Sequence, residues 1–182
     1  MSTFNNQPSS NIEITHMTAD EWESFKKIRI ESLQMEPTSV GGNLEGDLIR
    51  PDNIWASNAA EYLSIGNQLL LVKVNKEVVG LAGISFDFIG LEGSTDIVAK
   101  IWGVYLRAEM RGKGIGKFLM EEVIATAKST SNVKKVQLSV NPTKDPAVNL
   151  YTKYGFRVVG KEKEGLKVGG EVYNLDIMEL EV

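Results

Sequence analysis

The stretch YLRAEMRGKGIGKFLMEE, residues 105–122, carries three closely spaced glycines between an apolar run and a helical pattern. These are Gly112, Gly114 and Gly116. Because glycine has no Cβ, the backbone of such a turn can approach a ligand closely and direct successive N–H groups at it. The helix that follows presents the positive end of its dipole to the same point. The stretch therefore predicts an anion site at a strand-to-helix turn; a plain glycine-rich turn with solvated basic residues is the alternative.

Two common phosphate-binding turns can be compared with this stretch. A Walker A loop needs a glycine five residues before its Gly-Lys pair and a Ser or Thr after it, but Arg111 and Phe118 occupy these positions here. A Rossmann fingerprint, G-x-G-x-x-G, needs a third glycine where this sequence has Lys117 or Leu119. Both templates fail, and the pattern that remains is R-x-x-G-x-G over residues 111–116.

The composition of the 182-residue chain, 42% hydrophobic and 24% charged, is typical of one soluble domain. The chain has no cysteine, which excludes disulfides, a thiolate metal site and a cysteine nucleophile. The single histidine, His16, is expected at a strand end, and one histidine excludes a multi-histidine metal site, so we expect no metal. A net charge of −4 without a basic stripe argues against nucleic-acid binding. With no apolar run near about 18 residues and no signal peptide, we expect no membrane span and a cytoplasmic protein.

Local patterns predict a mixed α/β (α+β) domain over residues 12–182, preceded by a flexible tail at residues 1–11. A capping box of Thr18 and Glu21 opens the first helix, which ends near Pro37. Residues 38–46 have the composition of a loop. Three further helices are expected over residues 51–64, 114–130 and 145–154, and strands over residues 12–15, 68–74, 78–88, 96–106, 134–140, 156–164 and 171–180.

A second motif lies in residues 138–156, LSVNPTKDPAVNLYTKYGF, where a strand is followed by a helix with the pattern A-x-x-L-Y-x-K-x-G-F. Together with the R-x-x-G-x-G turn, it resembles the GNAT superfamily of N-acetyltransferases. The order of elements matches across most of the chain, and so does the pattern R-x-x-x-L-x-x-x-P at residues 29–37. The resemblance implies a central, mostly antiparallel sheet of about seven strands flanked by four helices, splayed between the fourth and fifth strands.

The resemblance also implies how the co-substrate acetyl-CoA is bound. The turn at residues 111–117 would hold its pyrophosphate. Backbone groups near Val104 and Leu106, at a bulge that ends the fourth strand, would bind the pantetheine arm and stabilise charge on the thioester carbonyl. Leu106 stands where many relatives have proline. The residues of the turn are Arg111, Gly112, Lys113, Gly114, Ile115, Gly116 and Lys117.

Tyr151 occupies the position of the family's general acid. Its phenol could donate a proton to the departing thiolate or hydrogen-bond the sulfur, and simple packing against the sheet is the alternative. Tyr154 is interpreted as a packing residue. Counted back from Tyr151, the family's pantetheine-binding asparagine falls at Lys144, so this contact is assigned to Asn141, which directly follows the strand. The backbone of the turn at Asp145 is a further alternative.

The general base is not fixed by the resemblance. An alkylammonium has a pKa of about 10.4 and must lose a proton before it attacks. The fourth strand has no acidic residue between positions 97 and 104. The candidates are therefore acids that are more often solvated surface residues: Asp96, Asp87, Glu92 and Glu45.

The function implied is transfer of the acetyl group of acetyl-CoA to a primary amine by a monomer or homodimer. The acceptor could be a small molecule, a peptide N-terminus or a lysine, and the loop-rich segment 38–53 slightly favours a small amine. Because there is no cysteine for an acyl-enzyme, direct transfer in a ternary complex is expected. A non-catalytic acyl-CoA-binding regulatory module is the alternative. A nucleotide-binding module is disfavoured by the failed templates.

Overall fold

One twisted sheet forms the centre of the computed structural model, which describes residues 2–4, 11–90 and 93–182. Within these residues the sheet has eight strands in the order β1-β2-β3-β4-β5-β6-β8-β7. All neighbouring strands are antiparallel except β5 and β6, which are parallel. The strands are β1 (Ser2–Phe4), β2 (Ile12–His16), β3 (Gln68–Val74), β4 (Glu77–Phe88), β5 (Ile97–Leu106), β6 (Val133–Val140), β7 (Arg157–Val168) and β8 (Glu171–Glu181).

The four predicted helices are present as α1 (Trp22–Met35), α4 (Asp52–Ser64), α5 (Ile115–Ser129) and α6 (Asp145–Lys153). The prediction of a loop over residues 38–46 is wrong in part, because two short helices, α2 (Pro37–Val40) and α3 (Leu44–Ile49), lie there. Proline at the first position of α2 and a hydrogen bond from the Gly46 N–H to Asn43 Oδ1 (3.0 Å) at the start of α3 account for them.

The chain before α1 follows its predicted pattern from residue 12 onward. His16 ends β2, as expected, and its Nδ1 lies 3.0 Å from Gln68 Oε1. The capping box is present, and the Thr18 N–H donates to Glu21 Oε2 at 3.0 Å. The backbone of Ser2–Phe4 pairs with β2, while residues 5–10 lie outside the described part of the chain. The tail expected over residues 1–11 stays a prediction.

Two apolar clusters cover the two faces of the sheet. On one face, α5 buries the predicted stripe of Ile115, Leu119, Val123 and Ala127 against β3 to β6. On the other face, α1 and α4 pack through Phe25, Ile28, Trp55 and other residues onto Leu69, Leu71, Leu81 and Tyr105 of the sheet. Because side chains alternate along a strand, β5 contributes Ile101 to the first cluster and Trp102 to the second.

The parallel strands β5 and β6 are the fourth and fifth strands of the sequence prediction. They separate partway along their length, as predicted. Their pairing ends at Ile101 and Leu138, so residues 102–106 and 139–140 border an opening that we call the gap. A bulge accompanies it. Residues 103 and 104 together face one residue of β4, and Gly103 has a φ of 63°, which only glycine adopts easily.

Candidate active site

The glycine turn lies at the carboxyl end of β5 and leads directly into α5. Gly112 and Gly114 have φ values of 72° and 80°, and Gly114 is the N-cap of the helix. The Lys117 N–H donates to the Gly114 carbonyl at 3.0 Å, which closes the first helical turn. The earlier N–H groups of a helix have no intrahelical acceptor, so they are available to an anion. Residues 111–117 therefore have the backbone geometry that the anion-site prediction needs.

The side chain of Arg111 is engaged elsewhere. Its Nε donates to the Leu106 carbonyl at 2.8 Å, and its Nη1 lies 2.8 Å from Glu36 Oε1. Arg111 thus ties the turn to the end of β5 and to the residue between α1 and α2. Lys113 is exposed, and Lys117 Nζ lies 3.7 Å from Glu121.

Glu36 links the segment that follows β5 to the segment that follows β6, a role that no sequence pattern indicated. Besides Arg111 on the β5 side, its Oε2 lies 3.5 Å from Lys144 Nζ on the β6 side. Burial raises the pKa of the Glu36 carboxyl, but the hydrogen bonds and charges of the two cations outweigh burial and lower it from its ordinary value. The Glu36 carboxylate therefore lies between Arg111, which follows β5, and Lys144, which follows β6.

On β5, the backbone groups of two predicted site residues, Val104 and Leu106, face the gap. The Arg107 N–H donates to the Val79 carbonyl of β4 at 2.9 Å, and Tyr105 pairs with Leu81. Because backbone groups alternate in direction along a strand, those of Val104 and Leu106 face away from β4. These are the residues to which the family resemblance assigned pantetheine binding, and that role stays a prediction.

Tyr151 lies on α6 in the apolar cluster beneath α5. Its ring centroid is 6.0 Å from that of Phe156, in a tilted arrangement. Burial raises the pKa of its phenol to about 12, so the group is protonated at neutral pH. The structure thus supplies a protonated phenol, and its catalytic role stays a prediction.

Tyr154 packs at the edge of this cluster, as predicted, and it also forms polar contacts that the sequence did not indicate. Its hydroxyl lies 3.0 Å from the Lys117 carbonyl and 3.1 Å from Glu121 Oε1. These contacts fix the end of α6, the helix that carries Tyr151, to the first turns of α5, the helix that the glycine turn opens.

Asn141 is buried, with 3% of its surface exposed, directly after β6. Its Oδ1 accepts hydrogen bonds from the N–H (3.1 Å) and hydroxyl (2.9 Å) of Thr143, and its Nδ2 donates to the Thr38 carbonyl at 3.4 Å. The side chain therefore shapes the turn before α6 and holds α2. Its predicted contact with pantetheine is untested.

A cavity of about 310 Å³ opens at the gap, on the sheet face that carries Trp102. It is lined by parts of α2, β4 to β6, β7 and β8, including Gly41, Trp102, Gly103 and Ser139. No carboxylate is among the described residues that line it. Two carboxylates contact side chains that line it: Glu162 Oε2 accepts from the Ser139 hydroxyl at 3.2 Å, and Asp87 Oδ2 lies 2.7 Å from Lys100 Nζ.

The candidate bases named from the sequence do not converge on this cavity. Asp87 pairs with Lys100 at 2.7 Å, and Asp96 pairs with Lys134 at 3.6 Å. Glu45 lies on the exposed side of α3, and Glu92 lies outside the described residues. Of the described candidates, Asp87 therefore lies beside the cavity through its ion pair with Lys100, a lining residue, whereas Asp96 and Glu45 are not paired with a lining residue.

Comparison with known proteins identifies the family to which this geometry belongs. The sequence profile of the acetyltransferase (GNAT) family matches residues 28–156. The chain is 30% identical over 127 residues to an N-alpha-acetyltransferase of Sulfolobus acidocaldarius, covering 68% of this chain and 74% of that protein. The chain belongs to the GNAT family. It is an acetyl-CoA-dependent N-acetyltransferase, with acetyl-CoA as co-substrate.

Solved structures share the fold at low sequence identity. A GNAT-family acetyltransferase from Streptococcus pneumoniae superposes with a TM-score of 0.76 at 19% identity, covering 94% of this chain and 99% of that chain. NAA60 of Arabidopsis thaliana, solved in complex with acetyl-CoA, gives a TM-score of 0.69 at 15% identity, covering 94% and 98%. Among the described residues, no helix is both long and apolar enough to cross a membrane.

Proposed function

We propose that the chain transfers the acetyl group of acetyl-CoA directly to a primary amine, with both substrates bound at the gap. The observation that carries the proposal is the position of the gap. It joins the glycine turn, with its free N–H groups, to the cavity on the opposite face of the sheet. A thioester bound along β5 can therefore be reached by an amine from that cavity.

The residues of the gap fit coenzyme A by their chemistry. The N–H groups of residues 112–116 and the α5 N-terminus suit a pyrophosphate. The outward backbone groups of Val104 and the N–H of Leu106 suit an amide-containing arm, while the Leu106 carbonyl already accepts from Arg111 Nε. When bound, acetyl-CoA supplies the acetyl group as an activated thioester. The bulge at Gly103 would direct backbone groups to the point where negative charge develops on the carbonyl oxygen of a thioester bound there.

Direct transfer requires one bond to form and one to break. The amine nitrogen forms a bond to the acetyl carbon and loses a proton, while the carbon–sulfur bond breaks and the sulfur leaves as a thiolate. Tyr151 is the group in this chain that would donate a hydrogen bond or a proton to that sulfur. The chain contains no cysteine that could carry the acetyl group as a thioester intermediate.

The acceptor is proposed only as a primary amine on a small molecule, a peptide N-terminus or a lysine. The Sulfolobus relative is named an N-alpha-acetyltransferase, which supports an amine acceptor. A regulatory acyl-CoA-binding module is favoured by one observation, the lack of a carboxylate among the described residues that line the cavity.

One experiment separates the two functions. Thiol release from acetyl-CoA is followed with a panel of amino acids, peptides and polyamines, and coenzyme A binding is measured in parallel by calorimetry. We expect amine-dependent thiol release from the wild-type protein and a lower rate for Tyr151→Phe. Tight binding of coenzyme A without release above background for any amine would support the regulatory module and refute the proposed transfer.

A further inference from the structure

Trp102 directly precedes the bulge of β5, and a hydrogen bond to α4 fixes its indole. The indole Nε1 donates to the Tyr62 hydroxyl at 2.8 Å. The two rings also meet edge to face, with their centroids 5.7 Å apart and an interplanar angle of 87°. The Tyr62 hydroxyl in turn donates to the Ile84 carbonyl of β4 at 2.7 Å. One hydroxyl therefore attaches Trp102 to α4 and, through α4, to the neighbouring strand.

The indole also lies against Gly83, the residue that pairs with Trp102 on β4. A Cβ at position 83 would lie 2.1 Å from Trp102 Cε2, so only glycine leaves room for the ring. A change of rotamer at Trp102 would leave this space empty and break the hydrogen bond to Tyr62. The packing therefore holds the side chain in one position.

Arg29 of α1 packs against both Trp102 and Gly103. Its Cζ lies 5.5 Å from the centroid of the Trp102 ring, and its Nη1 lies 3.4 Å from the position that a Cβ of residue 103 would take. The Arg29 side chain is 11% exposed, and its Nη2 donates to the Gly41 carbonyl at 2.7 Å. The start of the bulge is therefore packed against side chains of both α1 and α4.

The bulge itself has little means of holding its own geometry. It is formed by Gly103 and Val104, and Gly103 has a φ of 63° and no side chain to pack. Donors stabilise the charge that develops on a carbonyl only if they already lie at the right distance and angle. The side chain of Trp102 is the one that enters the bulge from the amino end of β5, so its anchoring sets where the bulge begins.

We propose that Trp102, anchored by Tyr62, is a positioning residue for acetyl transfer, because it holds the β5 bulge in the geometry that polarises the thioester carbonyl. This role rests on the proposed function, which places the carbonyl of acetyl-CoA at the bulge. Neither side chain gives or takes a proton. Burial raises the pKa of the Tyr62 phenol well above its ordinary value, so the hydroxyl keeps the proton that it donates to Ile84.

The infrared band of the thioester carbonyl measures this polarisation without turnover. Acetyl-CoA labelled with a heavy isotope at the carbonyl carbon is bound in the absence of an amine, and its C=O stretch is compared with that of free acetyl-CoA. A hydrogen bond to a carbonyl weakens the C=O bond and lowers the stretching frequency. We expect a narrow band at lowered frequency for the wild type. In Tyr62→Phe and Trp102→Phe the band should broaden and return most of the way to the frequency of the free thioester.

Steady-state kinetics give the second measurement. Each variant should lower kcat by about 10-fold and leave KM for acetyl-CoA near its wild-type value, because a misplaced bulge affects the transition state and not the binding of the phosphates. Both residues act through one hydrogen bond, so the double variant should lose about as much as either single variant, and not the product of the two losses.

Phe25→Leu is the matched control. Phe25 of α1 and Trp55 of α4 form another edge-to-face pair with the same 5.7 Å between ring centroids, but neither residue belongs to the sheet. Phe25→Leu should lower the melting temperature and keep the carbonyl band and kcat of the wild type, so a general loss of packing is distinguished from a displaced bulge. Circular dichroism verifies that each variant folds, and if Tyr62→Phe does not fold, Trp102→Phe decides.

Two results would overturn the inference. A wild-type carbonyl band at the frequency of free acetyl-CoA would show that the bulge does not polarise the carbonyl. A lowered band that neither variant alters would show that Trp102 does not position the bulge, and it would leave acetyl transfer intact. If no amine releases thiol, the proposed transfer fails, but a lowered band that moves in Tyr62→Phe would still support the positioning role of Trp102.

Discussion

Replacing Tyr151 with phenylalanine removes one oxygen atom from the buried end of α6. Burial has raised the pKa of this phenol to about 12, so it is protonated throughout the neutral range. Because burial is the cause of the shift, the change to phenylalanine removes no ion pair from the folded protein. We therefore expect the stability of the variant to match that of the wild type closely.

The pKa of the phenol determines what the hydroxyl can do for the leaving thiolate. A thiol has a pKa of about 8.5. Because burial raises the pKa of the phenol well above that value, full proton transfer to the sulfur would be uphill. Donating a hydrogen bond to the charged sulfur is worth about 1.5–3 kcal/mol without that cost. For the proposed role of Tyr151, the raised pKa therefore favours hydrogen bonding over complete proton transfer.

The expected result is a fall in kcat of about 10- to 100-fold for Tyr151→Phe, with KM for acetyl-CoA little changed. Steady-state thiol release at saturating amine measures the first quantity, and calorimetry with coenzyme A checks the second. Tyr154→Phe on the same helix is the matched control. It should lower the free energy of unfolding by about 1 kcal/mol, because it removes the hydroxyl held between Lys117 and Glu121, and it should keep kcat near the wild-type value.

Two outcomes would refute this reasoning. A Tyr151→Phe variant with unchanged kcat would remove the hydroxyl from the chemistry altogether. A loss greater than about 10³-fold would show that Tyr151 transfers its proton as a general acid, contrary to the pKa argument.

Three further predictions concern the turn and the ion pairs around it. Gly114→Ala should lower the free energy of unfolding in urea by about 1–2 kcal/mol, because alanine is strained at a φ of 80°. The nearest atom to the new Cβ is 3.9 Å away, so no clash adds to this strain. An unchanged urea midpoint would contradict the prediction. Glu36→Gln should tighten coenzyme A binding by up to about fivefold in calorimetry, because it frees Arg111 for the phosphates; weaker binding would show that Glu36 positions Arg111 instead. The hydrogen bond from Arg107 lowers the pKa of the Glu31 carboxyl below 4.5. The stability that this ionised carboxylate contributes is therefore present above pH 4.5 and is lost as the pH falls through the folded-state pKa. Melting temperatures of Glu31→Gln should therefore depend less steeply on pH below 4.5 than those of the wild type.

Local signals were sufficient for the elements that carry the glycine turn. The four-residue spacing of Ile115, Leu119 and Val123 predicted the buried face of α5, and the glycines marked its start. The short helices α2 and α3 escaped prediction because Ser, Thr, Gly and Asn dominate their segment. The signals were nevertheless present in Pro37 at a first helical position and Asn43 at an N-cap.

The direction of charged side chains at the site could not be predicted, because it depends on contacts between distant parts of the chain. Arg111 was expected at the pyrophosphate, but its partner Glu36 is 75 residues earlier in the sequence. Likewise, nothing in the local pattern around Arg29 shows that Asp47 and Trp102 surround it. The general base could not be predicted for the same reason, since no acidic residue on β5 indicates its position.

The separation of β5 from β6 has a thermodynamic consequence for the whole sheet. Residues 102–106 lack the ladder hydrogen bonds that hold the rest of β5 to β6, so a ligand bound between the strands, as proposed, would complete one edge of each. Any molecule that binds the folded chain alone stabilises it by mass action, by about 2.7 kcal/mol at 100 times its Kd. Coenzyme A retains the phosphates and the pantetheine arm after the acetyl group has left. Product and co-substrate should therefore protect the fold almost equally, and the same contacts that stabilise the sheet would slow product release.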